Sequence, residues 1–154
     1  MFDVTVVIPA RNAGWCLAGA IESVLTQTLA PGPILVIDDG STDDTADIAA
    51  TFGQVVRLIR QPHAGLSAAR NTGIRHADTP WVAFLDADDR WRPGKLAAQA
   101  RALQANPGAA WAFCDAQLVD PDGRPLGAWT FPADIATRRQ LLHRLFRVNV
   151  VAGS

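Results

Sequence analysis

Residues 4–37 read VTVVIPARNAGWCLAGAIESVLTQTLAPGPILVI, and this stretch decides the fold. It opens on a β-branched run, Val4-Thr5-Val6-Val7-Ile8, and closes on a second apolar run, Ile34-Leu35-Val36-Ile37. Between them Leu17, Ala20, Ile21, Val24 and Leu25 recur at helical spacing, which places one apolar stripe along a helix. Both runs are apolar throughout rather than alternating, as expected of strands covered on two faces. Strand, helix and strand in so short a span make a βαβ unit, whose crossover renders the two strands parallel.

The alternation continues outward from this unit. Val55 to Ile59 predicts a third strand, Trp81 to Leu85 a fourth and Ala110 to Cys114 a fifth. Helices are expected after the second strand, over Ser67 to Arg75, over Lys95 to Leu103 with Pro93 near its start, and over Arg138 to Phe146. Ser41 with Asp44 three residues on reads as a capping box, and Asp43 and Asp44 then occupy the first helical turn, where the dipole favours them. Asp120-Pro121-Asp122-Gly123 reads as a turn. The expected fold is α/β, a mainly parallel sheet flanked by helices.

Composition narrows the class. The 154 residues fit one domain, and 49% are hydrophobic, enough for a sizeable core. A formal net charge of −1 offers no basic excess to hold a phosphate backbone, so nucleic acid is not an expected partner. Cys16 and Cys114 lack framework spacing, which points to free, packed thiols in a cytoplasmic setting. Met1-Phe2-Asp3 has no basic character of the signal-peptide kind, and no apolar run reaches the roughly 18 to 20 residues of a membrane span. Peripheral attachment at the inner face of a membrane is compatible with this. The end, Val148 to Ser154, is apolar and strand-like, and the expectation is one domain over 1–154 that stops partway through a larger whole.

Three polar sites interrupt the apolar pattern, each just after a strand, where open α/β sheets bind ligands. Pro9-Ala10-Arg11-Asn12-Ala13-Gly14 could present backbone groups to a planar ring and Arg11 to a phosphate or base; a plain strand-to-helix turn is the alternative. Asp38-Asp39 sets two carboxylates side by side, which costs energy unless each is paired, and such a carboxylate could accept from a base N–H or a ribose hydroxyl. In the alternative, Asp38 caps a turn. Asp86-Ala87-Asp88-Asp89 follows the fourth strand, and clustered oxygen ligands there suit Mg²⁺ or Mn²⁺, against a merely solvated acidic turn. Arg70 is the single charge in a run of small residues and should point at a partner. His63 reads as a structural or exposed loop residue, and Lys95 as solvated.

Taken together, VVIPARN, VIDDGSTDDT, GLSAARNTGI and FLDADDRWRPGKL resemble the family 2 glycosyltransferases, in that order and with familiar separations. Each motif is weak alone; the four in register are specific and span Val4 to about Leu96, with Asn149 to Ser154 resembling the start of a later block. The resemblance implies a GT-A fold binding a nucleoside-diphosphate sugar, UDP by default, and an inverting transfer to a saccharide or lipid-linked acceptor in surface-polysaccharide assembly. By motif match, Pro9, Ala10, Arg11, Asn12, Asp38 and Asp39 should lie at the base and ribose, with Arg70 near the nucleotide. Asp86 and Ala87 would form the ribose side of the D-x-D turn, and Asp88, with Asp86, the metal site, for which Asp89 is a rival. The family's general base comes from a later carboxylate, beyond Ser154, and Asp115 and Asp120 come too early to match it. This piece is therefore expected to bind the sugar donor weakly or not at all, and not to turn over. A haloacid-dehalogenase-type phosphohydrolase would want its D-x-D near the N-terminus and a later lysine. A nucleotidyltransferase would want a glycine-rich basic loop after the first strand. A nucleotide-sugar-binding module without catalysis is the remaining alternative.

Overall fold

The computed structural model describes residues 2–120 and 122–130. The chain runs β1 (Val4–Ala10), α1 (Leu17–Leu25), β2 (Ile34–Asp39), α2 (Thr45–Thr51), β3 (Val56–Gln61), α3 (Leu66–His76), β4 (Trp81–Phe84), α4 (Lys95–Ala105), β5 (Ala116–Val119) and β6 (Pro125–Trp129). The first four strands form one sheet in the order β3-β2-β1-β4, parallel at every pairing. The described residues divide into two compact units, those up to Ala100 in the first and those from Arg101 in the second.

In the first unit a two-residue period sorts side chains to opposite faces of the sheet. Val6, Ile8 and Ala10 of β1, with Ile34 and Val36 of β2, meet Leu17, Ala20, Ile21 and Val24 of α1 and Ala49 of α2. Val7, Leu35 and Ile37 point the other way and meet Ala69 of α3. Both faces are thus covered, which is why β1 and β2 are buried at every position. Leu17, Ile21 and Val24 are fully buried, and each contributes about 1.5–3 kcal/mol of apolar burial. β3 lies at one edge of the sheet, and its exposed Arg57 and Arg60 discourage pairing with another chain. Gly73 sets the approach of α3, because a Cβ there would overlap the Val7 side chain.

Several expectations need correction. The third and fourth strands are displaced by a residue or two at their ends. The strand expected over Ala110–Cys114 is absent; its residues are mostly exposed, and Trp111 and Phe113 pair their rings at 5.2 Å instead. A strand begins only at Ala116, antiparallel to β6, with Ala116 opposite Trp129 and a bulge between Leu118 and Val119. The turn sets this register: Gly123 N–H donates to the Asp120 carbonyl at 2.9 Å, and Arg124 N–H to Asp120 Oδ1 at 2.8 Å. The capping box does not form. Ser41 Oγ accepts from Asn12 N–H (3.0 Å), while Asp43 Oδ1 accepts from Thr45 N–H (3.1 Å), so a neighbouring loop takes the hydroxyl the helix would have used. Both cysteines are free, but Cys114 is exposed rather than packed. Lys95 is not simply solvated, since its Nζ sits 3.4 Å from the Trp91 ring centroid. The helix expected over Arg138–Phe146, and Asn149 to Ser154, lie outside the described residues.

Candidate nucleotide-sugar site

From β1 the chain winds outward to β2 and β3, then returns to the opposite side of β1 as β4. The strand order therefore reverses between β1 and β4, and the crevice beyond their carboxyl ends is where such sheets take ligands. A cavity of about 330 Å³ opens there, lined by Arg11, Asn12 and Trp15 from the loop after β1 and by Asp86, Ala87 and Asp88 from the turn after β4. A second, of about 240 Å³, is lined by Ala10, Asp39, His63 and Ala69. Pro9, Arg11 and Leu66 line both, so the two are halves of one cleft.

The loop after β1 is held by side chains of the loop after β2. Asn12 N–H donates to Ser41 Oγ, Ala13 N–H to Thr45 Oγ1 (2.8 Å) and Gly14 N–H to Asp43 Oδ2 (3.0 Å). Thr42 N–H donates back to Asn12 Oδ1 at 2.9 Å. Asn12 adopts φ 49°, a left-handed conformation asparagine tolerates better than most residues. Its carboxamide oxygen thus joins two loops while the residue also lines the cleft.

The adjacent carboxylates Asp38 and Asp39 are each paired, in different ways. Asp38 is fully buried, accepts from Arg60 Nε at 3.0 Å and from Ser41 N–H at 2.9 Å, and lines neither half of the cleft. Asp39 is 3% exposed and accepts four hydrogen bonds. Oδ1 takes Gln61 Nε2 (2.6 Å) and Ala64 N–H (2.9 Å); Oδ2 takes His63 Nδ1 (2.7 Å) and Gly65 N–H (2.9 Å). Burial alone would push this carboxyl up, but the Ala64, Gln61, His63 and Gly65 donors outweigh it and bring it to about 2. Gly40, at φ 74°, makes the close approach possible, since a Cβ there would stand 2.8 Å from the His63 nitrogen. His63 Nε2 in turn lies 2.9 Å from Arg11 Nη1. A guanidinium only donates, so Nε2 accepts and Nδ1 carries the proton given to Asp39.

Arg70 finds the partner its sequence context called for: Nη2 donates to Asp86 Oδ1 at 2.7 Å, and the guanidinium carbon lies 5.9 Å from the Phe84 ring centroid. Asp89 N–H donates to the Asp86 carbonyl at 3.0 Å, which closes the D-x-D turn and leaves Asp86 and Asp88 on the cleft wall. Desolvation, then the Asp88 and Asp86 charges, push Asp89 above the usual carboxylate range. No group of three or more His, Cys, Asp or Glu is arranged as a metal cage among the described residues. The turn offers the cleft two carboxylates, Asp86 and Asp88. Trp15, Leu66 and His63 are cleft residues that the sequence reading did not assign to a site. Trp15 is 82% exposed and Leu66 50% exposed, both on the cleft wall. His63 carried no signal beyond its loop position, because its partners lie 24 and 52 residues away.

The family model described as glycosyl transferase family 2 matches residues 5–151. The chain belongs to that family. Among curated relatives, the putative teichuronic acid biosynthesis glycosyltransferase TuaG of Bacillus subtilis is 32% identical over 80% of this chain and 50% of its own length. The Escherichia coli UDP-Glc:alpha-D-GlcNAc-diphosphoundecaprenol beta-1,3-glucosyltransferase WfgD is 36% identical over 67% of this chain and 42% of its own. The chain thus spans about half or less of the length of these family members. Staphylococcus aureus TarS 1–349, solved with UDP-GlcNAc, superposes with a TM-score of 0.64 at 18% identity, over 76% of this chain and 40% of that one. The Pyrobaculum calidifontis mannosyltransferase PcManGT, solved with GDP-Man and Mn²⁺, does so with a TM-score of 0.64 at 24% identity, over 77% and 36%. The sheet has the GT-A fold these structures share.

Proposed function

We propose that this cleft binds a nucleoside-diphosphate sugar and that the protein transfers the sugar to the hydroxyl of a saccharide or lipid-linked acceptor. The observation that carries this is the convergence of Arg11, Asp39 and the Asp86–Asp88 turn on one cleft at the topological switch point. The half lined by Pro9, Ala10, Arg11 and Asp39 takes the base and ribose. Asp86 lies on the ribose side, held in place by Arg70. Asp88 with Asp86 would hold Mg²⁺ or Mn²⁺, which when bound neutralises charge on the departing diphosphate. Asp38, buried against Arg60, acts only by shaping the loop.

In this chemistry the acceptor hydroxyl attacks the anomeric carbon as the bond to the diphosphate breaks, through an oxocarbenium-like transition state. The carbon inverts, and a general base takes the hydroxyl proton. The cleft supplies orientation, since holding both reactants in line is worth up to about 7–11 kcal/mol. The names of the relatives support the reading: WfgD is a glucosyltransferase using UDP-Glc, and TuaG is placed in teichuronic acid biosynthesis. No helix among the described residues is long and apolar enough to cross a membrane.

The test is calorimetric titration with UDP, dTDP and GDP, with and without Mn²⁺, repeated on Asp88→Ala. Mn²⁺-dependent binding of one nucleotide that disappears in the variant is expected. A folded protein that binds none of the three would overturn the proposal.

A further inference from the structure

We infer that Ser23 of α1 and Gln27, just past the end of that helix, are positioning residues for the cleft: they tie α1 to the segment that follows the D-x-D turn and so fix where Asp86 and Asp88 stand. The inference rests on the cleft being the nucleotide-sugar site. Residues 86–90 belong to neither strand nor helix, so the turn takes its place from what holds its two ends. On the β4 side, Leu85 N–H donates to the Val7 carbonyl of β1 at 3.1 Å. On the other side the anchor is α1 and the residues just after it. Trp91 N–H donates to Ser23 Oγ at 3.0 Å, and that hydroxyl donates to the Ala20 carbonyl at 2.7 Å. Gln27 Nε2 donates to the Arg92 carbonyl at 2.8 Å and to the Ser23 carbonyl at 3.0 Å, while Gln27 Oε1 accepts from Leu96 N–H at 3.0 Å. Leu96 lies in the first turn of α4, where N–H groups have no partner within the helix. Arg90 closes the same contact from the turn itself, its guanidinium lying where a Cβ on Gly19 would overlap it.

Packing alone does not ask for these side chains. Ser23 and Gln27 are both buried, and an aliphatic side chain could fill such space without a polar group to satisfy. Gln27 has both of its N–H bonds and its oxygen paired, so the amide is held in one orientation. What it supplies is direction, given to a stretch of chain that has no regular structure of its own. The opposite wall of the cleft, from Arg11 to Cys16, runs directly from β1 into α1. One βα pair therefore carries one wall by covalent continuity and the other by hydrogen bonds. Ser23 and Gln27 line neither half of the cleft, yet they set the separation of its walls.

Ser23→Ala removes the acceptor for Trp91, and Gln27→Met removes the partners of Arg92 and Leu96 while keeping an unbranched chain. Hydrogen exchange over residues 86–92 should quicken by about three- to tenfold in each, with β1 exchanging at the wild-type rate. Calorimetry with UDP, dTDP and GDP in Mn²⁺ should show the nucleotide that binds the wild type held about three- to tenfold more weakly, because only a fraction of molecules keeps the turn in place. Circular dichroism sets a temperature at which each variant is folded. Val56→Ala serves as the control: it removes buried volume at the amino end of β3, away from the cleft, and should lower the urea midpoint with nucleotide affinity unchanged. A merely structural role for Ser23 and Gln27 would make their variants behave like this control. Wild-type affinity in either folded variant, or wild-type exchange over 86–92, would overturn the inference while leaving the proposed function standing. A wild-type protein that binds none of the three nucleotides would remove both.

Discussion

Arg70 and Asp86 form an ion pair, 2.7 Å from Nη2 to Oδ1, that joins α3 to the turn after β4. Their side chains are 24% and 19% exposed, so the pair is only partly screened by water. Arg70 lines neither half of the cleft, and it acts on the site by holding Asp86. Arg70→Met removes the partner and leaves Asp86 a half-buried lone charge, which should destabilise the protein by about 1–3 kcal/mol. The urea midpoint measures this. Arg70→Lys should recover only part of the loss, since an ammonium cannot reproduce the planar contact with Phe84.

The three carboxylates of the D-x-D turn repel one another in the absence of a cation. Desolvation first, then the Asp88 and Asp86 charges, disfavour the ionised form of Asp89 and push it above the usual carboxylate range. A carboxyl raised in the folded state costs stability as pH rises past its unfolded value of about 3.9. Asp89→Asn should therefore raise the thermal midpoint of the metal-free protein at pH 7. On the proposed metal site the gain should shrink in Mn²⁺, whose charge would offset the repulsion, and scans in EDTA and in Mn²⁺ make the comparison.

Asp39 behaves oppositely. Its folded value is depressed to about 2, so the stability it contributes is present above its unfolded value near 3.9 and is lost as pH falls through 2. Asp39→Asn should be less stable at pH 7, because an amide cannot accept four donors. Its acid-unfolding limb should be flatter between about pH 4 and pH 2 than that of the wild type. Equal pH dependence in the two proteins would contradict the hydrogen-bond arrangement described above.

Gly73→Ala tests the packing of α3 on β1. In a solvent-facing helix the change would stabilise by about 0.5–1 kcal/mol through helix propensity. Here the new methyl meets Val7, which is fully buried and has no room to yield. Overpacking of this kind costs about 1–3 kcal/mol, so the net effect should be a loss of stability. Combining it with Val7→Ala should cost less than the two changes added together, read from denaturant midpoints.

The βαβ frame was legible because it rests on local signals. The apolar run of Val4 to Ile8 and the helical spacing of Leu17, Ile21 and Val24 each act within a few turns of chain, and the structure places them as their pattern implies. The expected strand over Ala110–Cys114 failed for the converse reason. An apolar run is compatible with several environments, and a strand needs a neighbour that composition does not name. The capping box failed because the Ser41 hydroxyl had a competing partner in Asn12, 29 residues away.

For the site, the sequence by itself determined which chemistry-bearing residues exist and that they follow strand ends: Arg11 after β1, Asp38 and Asp39 closing β2, Asp86 and Asp88 after β4. Tertiary structure decided which of them face the cleft. The parallel register of β2 and β3 sets Asp38 opposite Arg60 and Asp39 opposite Gln61. That register buries the first carboxylate out of reach, and the loop after β3 donates to the second and turns His63 toward Arg11. Side-chain partners 16 to 52 residues apart are chosen by strand register and helix approach, which depend on packing across the whole sheet, whereas propensity and periodicity carry information only along the local chain.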